Sequence, residues 1–139
     1  MTRVKELMAA GVNVSFGQDS VMDPWGSLNT GDVLDAAHMA VHAGHLSGRD
    51  EIIACFRAVT ENPARAMGLE GYGLEIGCNA DLVVLQAADP VEAVRLRPVR
   101  LYVMRRGNII AESAPEEAKL TLPGRPGSTD FTRQTRPPE

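Results

Sequence analysis

The apolar positions near the start of the chain are spaced for a helix. Val4, Leu7 and Met8 fall at i, i+3 and i+4, with Thr2 placed to cap them and Gly11 to stop them. The period then changes. Val12-Asn13-Val14-Ser15-Phe16 alternates apolar and polar, which predicts a strand ended by Gly17. A helix, a glycine turn and a strand in succession make one step of an α/β fold. Helical spacing returns between Asp32 and Ala43, where Val33, Ala36, Ala37, Ala40 and Val41 share a side. Asp50 is a candidate cap for a helix bearing Ile52, Ile53, Phe56 and Val59. Asn62 as cap with Pro63 at the first helical position predicts one more short helix, ended at Gly68.

Beyond Gly71, Gly73 and Gly77 the pattern becomes strand-like. Leu82-Val83-Val84-Leu85 is an apolar strand, and Asp89-Pro90-Val91-Glu92 is a capping box that opens one or two helical turns. Val99 to Met104 predicts a strand, Arg106-Gly107-Asn108 a tight turn, and Ile109 to Ala111 its hairpin partner. After Ser113 the periodicity stops, and five of the nine prolines lie in residues 115–138. This tail, residues 113–139, is expected to be extended and partly disordered. The predicted class is α/β, lopsided, with one early strand and several helices followed by short strands. A parallel strand is normally buried on both faces. The strand over 12–16 has no such neighbour in this sequence, so its neighbours are expected upstream of Met1.

Composition narrows the function classes. With 44% hydrophobic and 23% charged residues, the chain has the make-up of an ordinary globular domain. A net charge of −4 argues against nucleic acid, whose phosphates need a basic field. An apolar run long enough to span a membrane is lacking, and the first residues do not form a secretory signal, so a cytoplasmic protein is expected. Cys55 and Cys78 suit two free thiols in a reducing compartment. The 139 residues are too few for a complete (β/α)8 barrel, which takes roughly 200 or more.

The candidate chemistry sits in the loop after the first strand. Asp19 lies just past the strand end, where barrel enzymes gather their acids. A carboxylate there can ligate a metal or relay a proton, although an Asp after a strand is more often a turn former. Its setting shifts that balance. Gly17-Gln18-Asp19-Ser20-Val21-Met22-Asp23-Pro24-Trp25 resembles the last metal-site segment of cytosine deaminases in the amidohydrolase superfamily. Downstream, Thr60, Asn62-Pro63-Ala64, Leu69, Gly73, Gly77, Ala80-Asp81-Leu82-Val83 and Arg106-Gly107 resemble that superfamily's C-terminal signature. Together the two matches cover about residues 3–112.

The resemblance implies a C-terminal fragment of a (β/α)8 amidohydrolase barrel, its last strand plus helices, over residues 1–69. Part of a small β-sandwich would follow over 70–112. It implies that Asp19 completes a metal site and shuttles protons, that Ser20 lies beside the substrate, and that Trp25 walls the pocket. The implied parent is a cytosine or isocytosine deaminase that uses a divalent metal, Fe or Zn, on an amino-pyrimidine-like small molecule. Two positions depart from many relatives: Gln18 stands where they have His, and Ser20 where some have a second acid. Both border the substrate, which leaves its identity open. The His-X-His pair, the later histidine ligand and the acid–base Glu of the family have no counterpart here. The chain alone is therefore expected to hold no metal tightly, to lack activity, and to self-associate through the apolar edge of Val12, Val14 and Phe16.

Rival readings are blander or differ in class. A non-catalytic assembly or regulatory partner of a full-length relative is the alternative to an enzyme fragment. His38, His42 and His45, at i, i+4 and i+7, offer a face for Zn²⁺ but lack a neighbouring fourth ligand, so they read as structural. Cys55 reads as core, with no Cys-X-X-Cys nearby. Arg95, Arg97, Arg100, Arg105 and Arg106 read as a solvated face, and the glycines of 71–77 as turns.

Overall fold

In the computed structural model the described residues are 2–24, 27, 28 and 30–127. They form, in order, α1 (Val4–Ala9), α2 (Val33–Ala43), α3 (Arg49–Ala58), α4 (Glu61–Ala66), β1 (Leu82–Leu85), α5 (Pro90–Leu96), β2 (Arg100–Arg105) and β3 (Asn108–Glu112). The class is mixed α/β, with helices in the first half and a single three-stranded sheet among the described residues.

Helix ends follow their local chemistry. At α1, Gly11 takes φ +77° while its N–H donates to Met8 O and that of Val12 to Leu7 O, a Schellman close. Thr2 does not cap this helix. Arg3 is the N-cap residue, and no side chain bonds the first turn. The start of α3 also differs from the sequence expectation. Gly48, not Asp50, is the N-cap, and the Glu51 carboxylate reaches back to the Gly48 N–H at 2.9 Å. Asn62 is likewise not a cap, because α4 begins one residue earlier, after Thr60. Its side chain is used at longer range. Asp89 behaves as expected, with its carboxylate accepting from the Glu92 N–H at 2.9 Å and Pro90 opening α5.

Residues 12–16 do not form a strand, contrary to the alternation of their side chains. A strand needs a ladder, and besides the Schellman bond of Val12 the backbone bond shown here runs from Phe16 N–H to Ala58 O at 2.8 Å. Side chains hold the rest. Asn62 Nδ2 donates to Val14 O at 2.8 Å, and Asn13 Nδ2 donates to Asn62 O at 3.0 Å. The segment therefore lies against the end of α3 and the start of α4.

β1, β2 and β3 pair antiparallel in that order, with Val83 opposite Val103 and Val103 opposite Ala111. The β2–β3 turn is Arg106-Gly107, both at positive φ (47° and 78°), the geometry of a two-residue type I′ hairpin. Asn108 already belongs to β3. Asp81 accepts from the Arg106 N–H at 2.7 Å, which pins the turn beside the start of β1. The core is helical: Leu34 and Ala37 of α2, Leu46 after it, Cys55 and Val59 around α3, and Val94 of α5. Leu85 of β1 packs against this cluster and docks the sheet on the helices. Part of the expected extended tail is fixed in place. Gln86 exchanges two bonds with the Glu116 backbone, at 2.8 and 2.9 Å, and residues 128–139 lie outside the description.

Candidate functional site

The loop that follows residues 12–16 carries the expected site. Asp19 is exposed and Ser20 half-buried, whereas Trp25 lies outside the described residues. The loop's base is built by neighbouring elements. Gln18 Nε2 donates to Asp32 O at 3.1 Å, which turns the Gln18 side chain toward the start of α2. Asp32 caps α2 by accepting from Leu34 N–H at 2.8 Å, and its carboxylate also pairs with Arg100 of β2. Thr30, Gly31, Asp32, Val33 and Arg100 line an open hollow of about 460 Å³ at this junction. Met22, in the same loop, sits at φ +57°, a left-handed conformation that a non-glycine residue takes only when its surroundings hold it there.

Asp19 offers an oxygen ligand of a suitable kind, but catalytic zinc sites draw about three ligands from the protein. Among the described residues no group of three His, Cys, Asp or Glu side chains comes together. The three histidines separate. His38 Nδ1 lies 3.1 Å from Val94 O on α5, and its ring meets that of His42 edge-on at 4.7 Å. His45 is off the helix altogether, at φ +53° in the Schellman close of α2, so the i, i+4, i+7 face does not exist. Cys55 is fully buried, and burial, with Glu51 adding to it, pushes its thiol up to about 11. It is no thiolate nucleophile at neutral pH.

The arginine cluster is not a bare solvated face. Arg95 pairs with the buried Glu92, Arg97 with Asp35 at 3.1 Å, and Arg100 with Asp32. Sequence reasoning missed the Gln18–Asp32–Arg100 junction. The one available signal was Asp32 immediately before an apolar-periodic run, the mark of an N-cap. Its pairing across 68 positions to Arg100 had none.

The model for the family described as Amidohydrolase family matches residues 1–111. The chain belongs to the amidohydrolase family. It is a cytosine-deaminase-like member. The structure of 5-methylcytosine deaminase from Klebsiella pneumoniae, liganded with 5-fluorocytosine, superposes with a TM-score of 0.81 at 40% identity, covering 86% of this chain and 29% of that one. N-isopropylammelide isopropyl amidohydrolase of Pseudomonas sp. (strain ADP) is 32% identical over 110 residues, 78% of this chain and 27% of that protein. Pterin deaminase of Rhizobium rhizogenes is 31% identical over 121 residues, 86% and 27% respectively. This amidohydrolase chain thus spans a little over a quarter of the length of these relatives. No helix among the described residues is long and apolar enough to cross a membrane.

Proposed function

We propose that this chain is the C-terminal part of a metal-dependent deaminase of the amidohydrolase family, acting on an amino-bearing pyrimidine or a related heterocycle. Residues 1–69 would be the end of its barrel, 70–112 part of its small β-sandwich, and 113–139 an extended tail. The observation that carries the reading is the 40% identity with a 5-methylcytosine deaminase over 86% of the chain, beside a family match over residues 1–111 that includes the exposed carboxylate of Asp19. Asp19 is the residue assigned to the chemistry. An exposed carboxylate can accept a proton and return it within one turnover, and it can share a metal ion whose other ligands lie outside these residues. Ser20 and Trp25 are assigned to the substrate.

Fusion supplies the test. This chain, joined in place of the matching last part of the Klebsiella enzyme, should release ammonia from 5-methylcytosine or cytosine, and Asp19→Asn should abolish most of that release. A folded fusion whose Asp19→Asn variant turns over like its parent overturns the assignment. The isolated chain should release none above a metal-only blank.

The alternative is a non-catalytic partner of a full-length relative. It predicts stable co-purification with such a relative and no activity in the fusion. Self-association of the chain is part of either reading. Val12 at 49% exposure, Ile109 and Ile110 on β3, and Val83 on β1 leave apolar surface near unpaired backbone. A sharp monomer peak on gel filtration would contradict it.

A further inference from the structure

We infer that Gln18, Asp32 and Arg100 form a positioning clamp, which closes the loop carrying Asp19 and couples its geometry to the three-stranded sheet. The inference rests on the reading of Asp19 as the working carboxylate. The Gln18–Asp32 bond joins residues 14 apart, so it brings the two ends of the segment between them together. That loop contains all three residues assigned to the site: Asp19, Ser20 and, by sequence, Trp25. Asp19 is the residue directly after the clamp. A shift of the Gln18 backbone is therefore a shift of the carboxylate.

Asp32 does more than an N-cap requires. Capping α2 needs only its bond to Leu34 N–H, at 2.8 Å. Its carboxylate also takes the Arg100 guanidinium, and its carbonyl takes Gln18. The site loop, the α2 it leads into and the first residue of the distant β2 thus meet on one half-buried residue. The Arg100 bond is charge-assisted, the stronger kind of hydrogen bond. Without it, Asp32 keeps a part-buried negative charge that turns to water, and its backbone loses the restraint that presents the carbonyl to Gln18. Arg100 and Gln18 are positioning residues in this scheme, since neither is placed on the reacting groups.

The full 139-residue chain, labelled with ¹⁵N, tests the clamp without reading any turnover. In Arg100→Met, amide exchange over residues 19–23 should accelerate several-fold, and the native amide shifts of Gly17, Gln18 and Asp19 should move. Exchange in α3 should stay as in the parent. Gln18→Leu should reproduce the loop effect, and the double variant should exceed neither single one, because both break one chain of contacts. Arg100→Lys, which keeps the charge but not the fork, should fall between parent and Arg100→Met; it also covers the case in which Arg100→Met fails to fold. Loop shifts and exchange unchanged in Arg100→Lys and Arg100→Met overturn the coupling, as do effects of the two positions that simply add. Failure of the Asp19 assignment shows elsewhere, as retained ammonia release in the fused Asp19→Asn enzyme with these loop effects intact.

Discussion

The helical cluster of α2, α3 and α5 and the segment from Val12 to Pro24 are held by different forces. In the cluster, Leu34, Ala37, Leu46, Cys55 and Val94 exclude water almost completely, and each helix supplies part of what buries the others. The segment from Val12 to Pro24 packs the partly buried Phe16 against that core and is tied by hydrogen bonds that include those of the Asn13, Gln18 and Asn62 side chains. Dispersion and apolar burial fix the first; directional bonds fix the second. A core of this kind withstands small changes of angle, whereas a segment held by single bonds takes its geometry from each of them. Asp19 and Ser20, both assigned to the site, lie in the second region.

The largest effect expected from this contrast is at Leu46, which is 1% exposed. Leu46→Ala should cost about 2–5 kcal/mol, as buried leucine truncations do. Val12→Ala, at 49% exposure, should change stability by less than about 0.5 kcal/mol. Urea unfolding of both variants checks the pair. Similar losses would mean that the segment is as much core as the helices, and the contrast would fail.

Next comes Asp19, where the contrast is chemical. In the fused enzyme Asp19→Asn should lower turnover by at least roughly 10²-fold, the scale of a single acid–base step. The same change should leave the thermal midpoint within experimental scatter, since Asp19 is exposed. Asp23→Asn, before Pro24, should be milder in turnover. Equal activities of the two variants would return Asp19 to the status of a turn residue.

What was readable in the sequence divides along the same line. The N-cap at Asp89, the Schellman glycines 11 and 68, the apolar β1 and the hairpin at Arg106-Gly107 are local devices. Their signal lies within a few residues, and the structure keeps them. Val12–Phe16 shows the opposite. Its alternation specifies a half-buried strand, but pairing is a property of two segments, and the described residues meet it with single bonds such as those from Ala58 O and the Asn62 side chain rather than a ladder. Asn62 was misread for the same reason: a cap is local, whereas a clamp on Val14 lies 48 residues away. For the site, Asp19 was legible through its motif, while the Gln18–Asp32–Arg100 junction was not, since no periodicity marks an ion pair between a helix cap and a strand.

Asn62 gives a smaller and sharper probe of the segment. Asn62→Ala removes the donor to Val14 O and should cost about 0.5–1.5 kcal/mol, the usual net worth of one hydrogen bond. The loss should be local. Amide exchange over 12–16 should rise, while Cys55 stays inert to alkylation in the intact core. Reaction of Cys55 along with Cys78 in this variant would show that the segment and the core open as one unit, against the division drawn above.

The smallest expected effect concerns the front of the segment, where α1 is tied to α3. Lys5 Nζ lies 2.6 Å from Glu51, whose carboxylate also accepts the Gly48 N–H. These bonds, the one to Lys5 first, hold the Glu51 carboxyl below its ordinary value of 4.5 despite an opposing contribution from desolvation. A carboxyl with a lower value in the folded state binds fewer protons there than in the unfolded chain, so its contribution to stability is complete above 4.5 and fades as pH falls through the folded value. Acidification from neutral pH to below 4.5 should therefore loosen α1 from α3 before the helical cluster responds. Because this ion pair is at the surface, added salt should shrink the effect. Exchange of the α1 amides across that pH range reads it directly, and Glu51→Gln should flatten the dependence, as a side chain that does not titrate there must. If the protection of the α1 amides falls with pH identically in parent and variant, Glu51 is not the tie. The front of the segment would then be held by the turn at Gly11 and by Val4, which packs against the core.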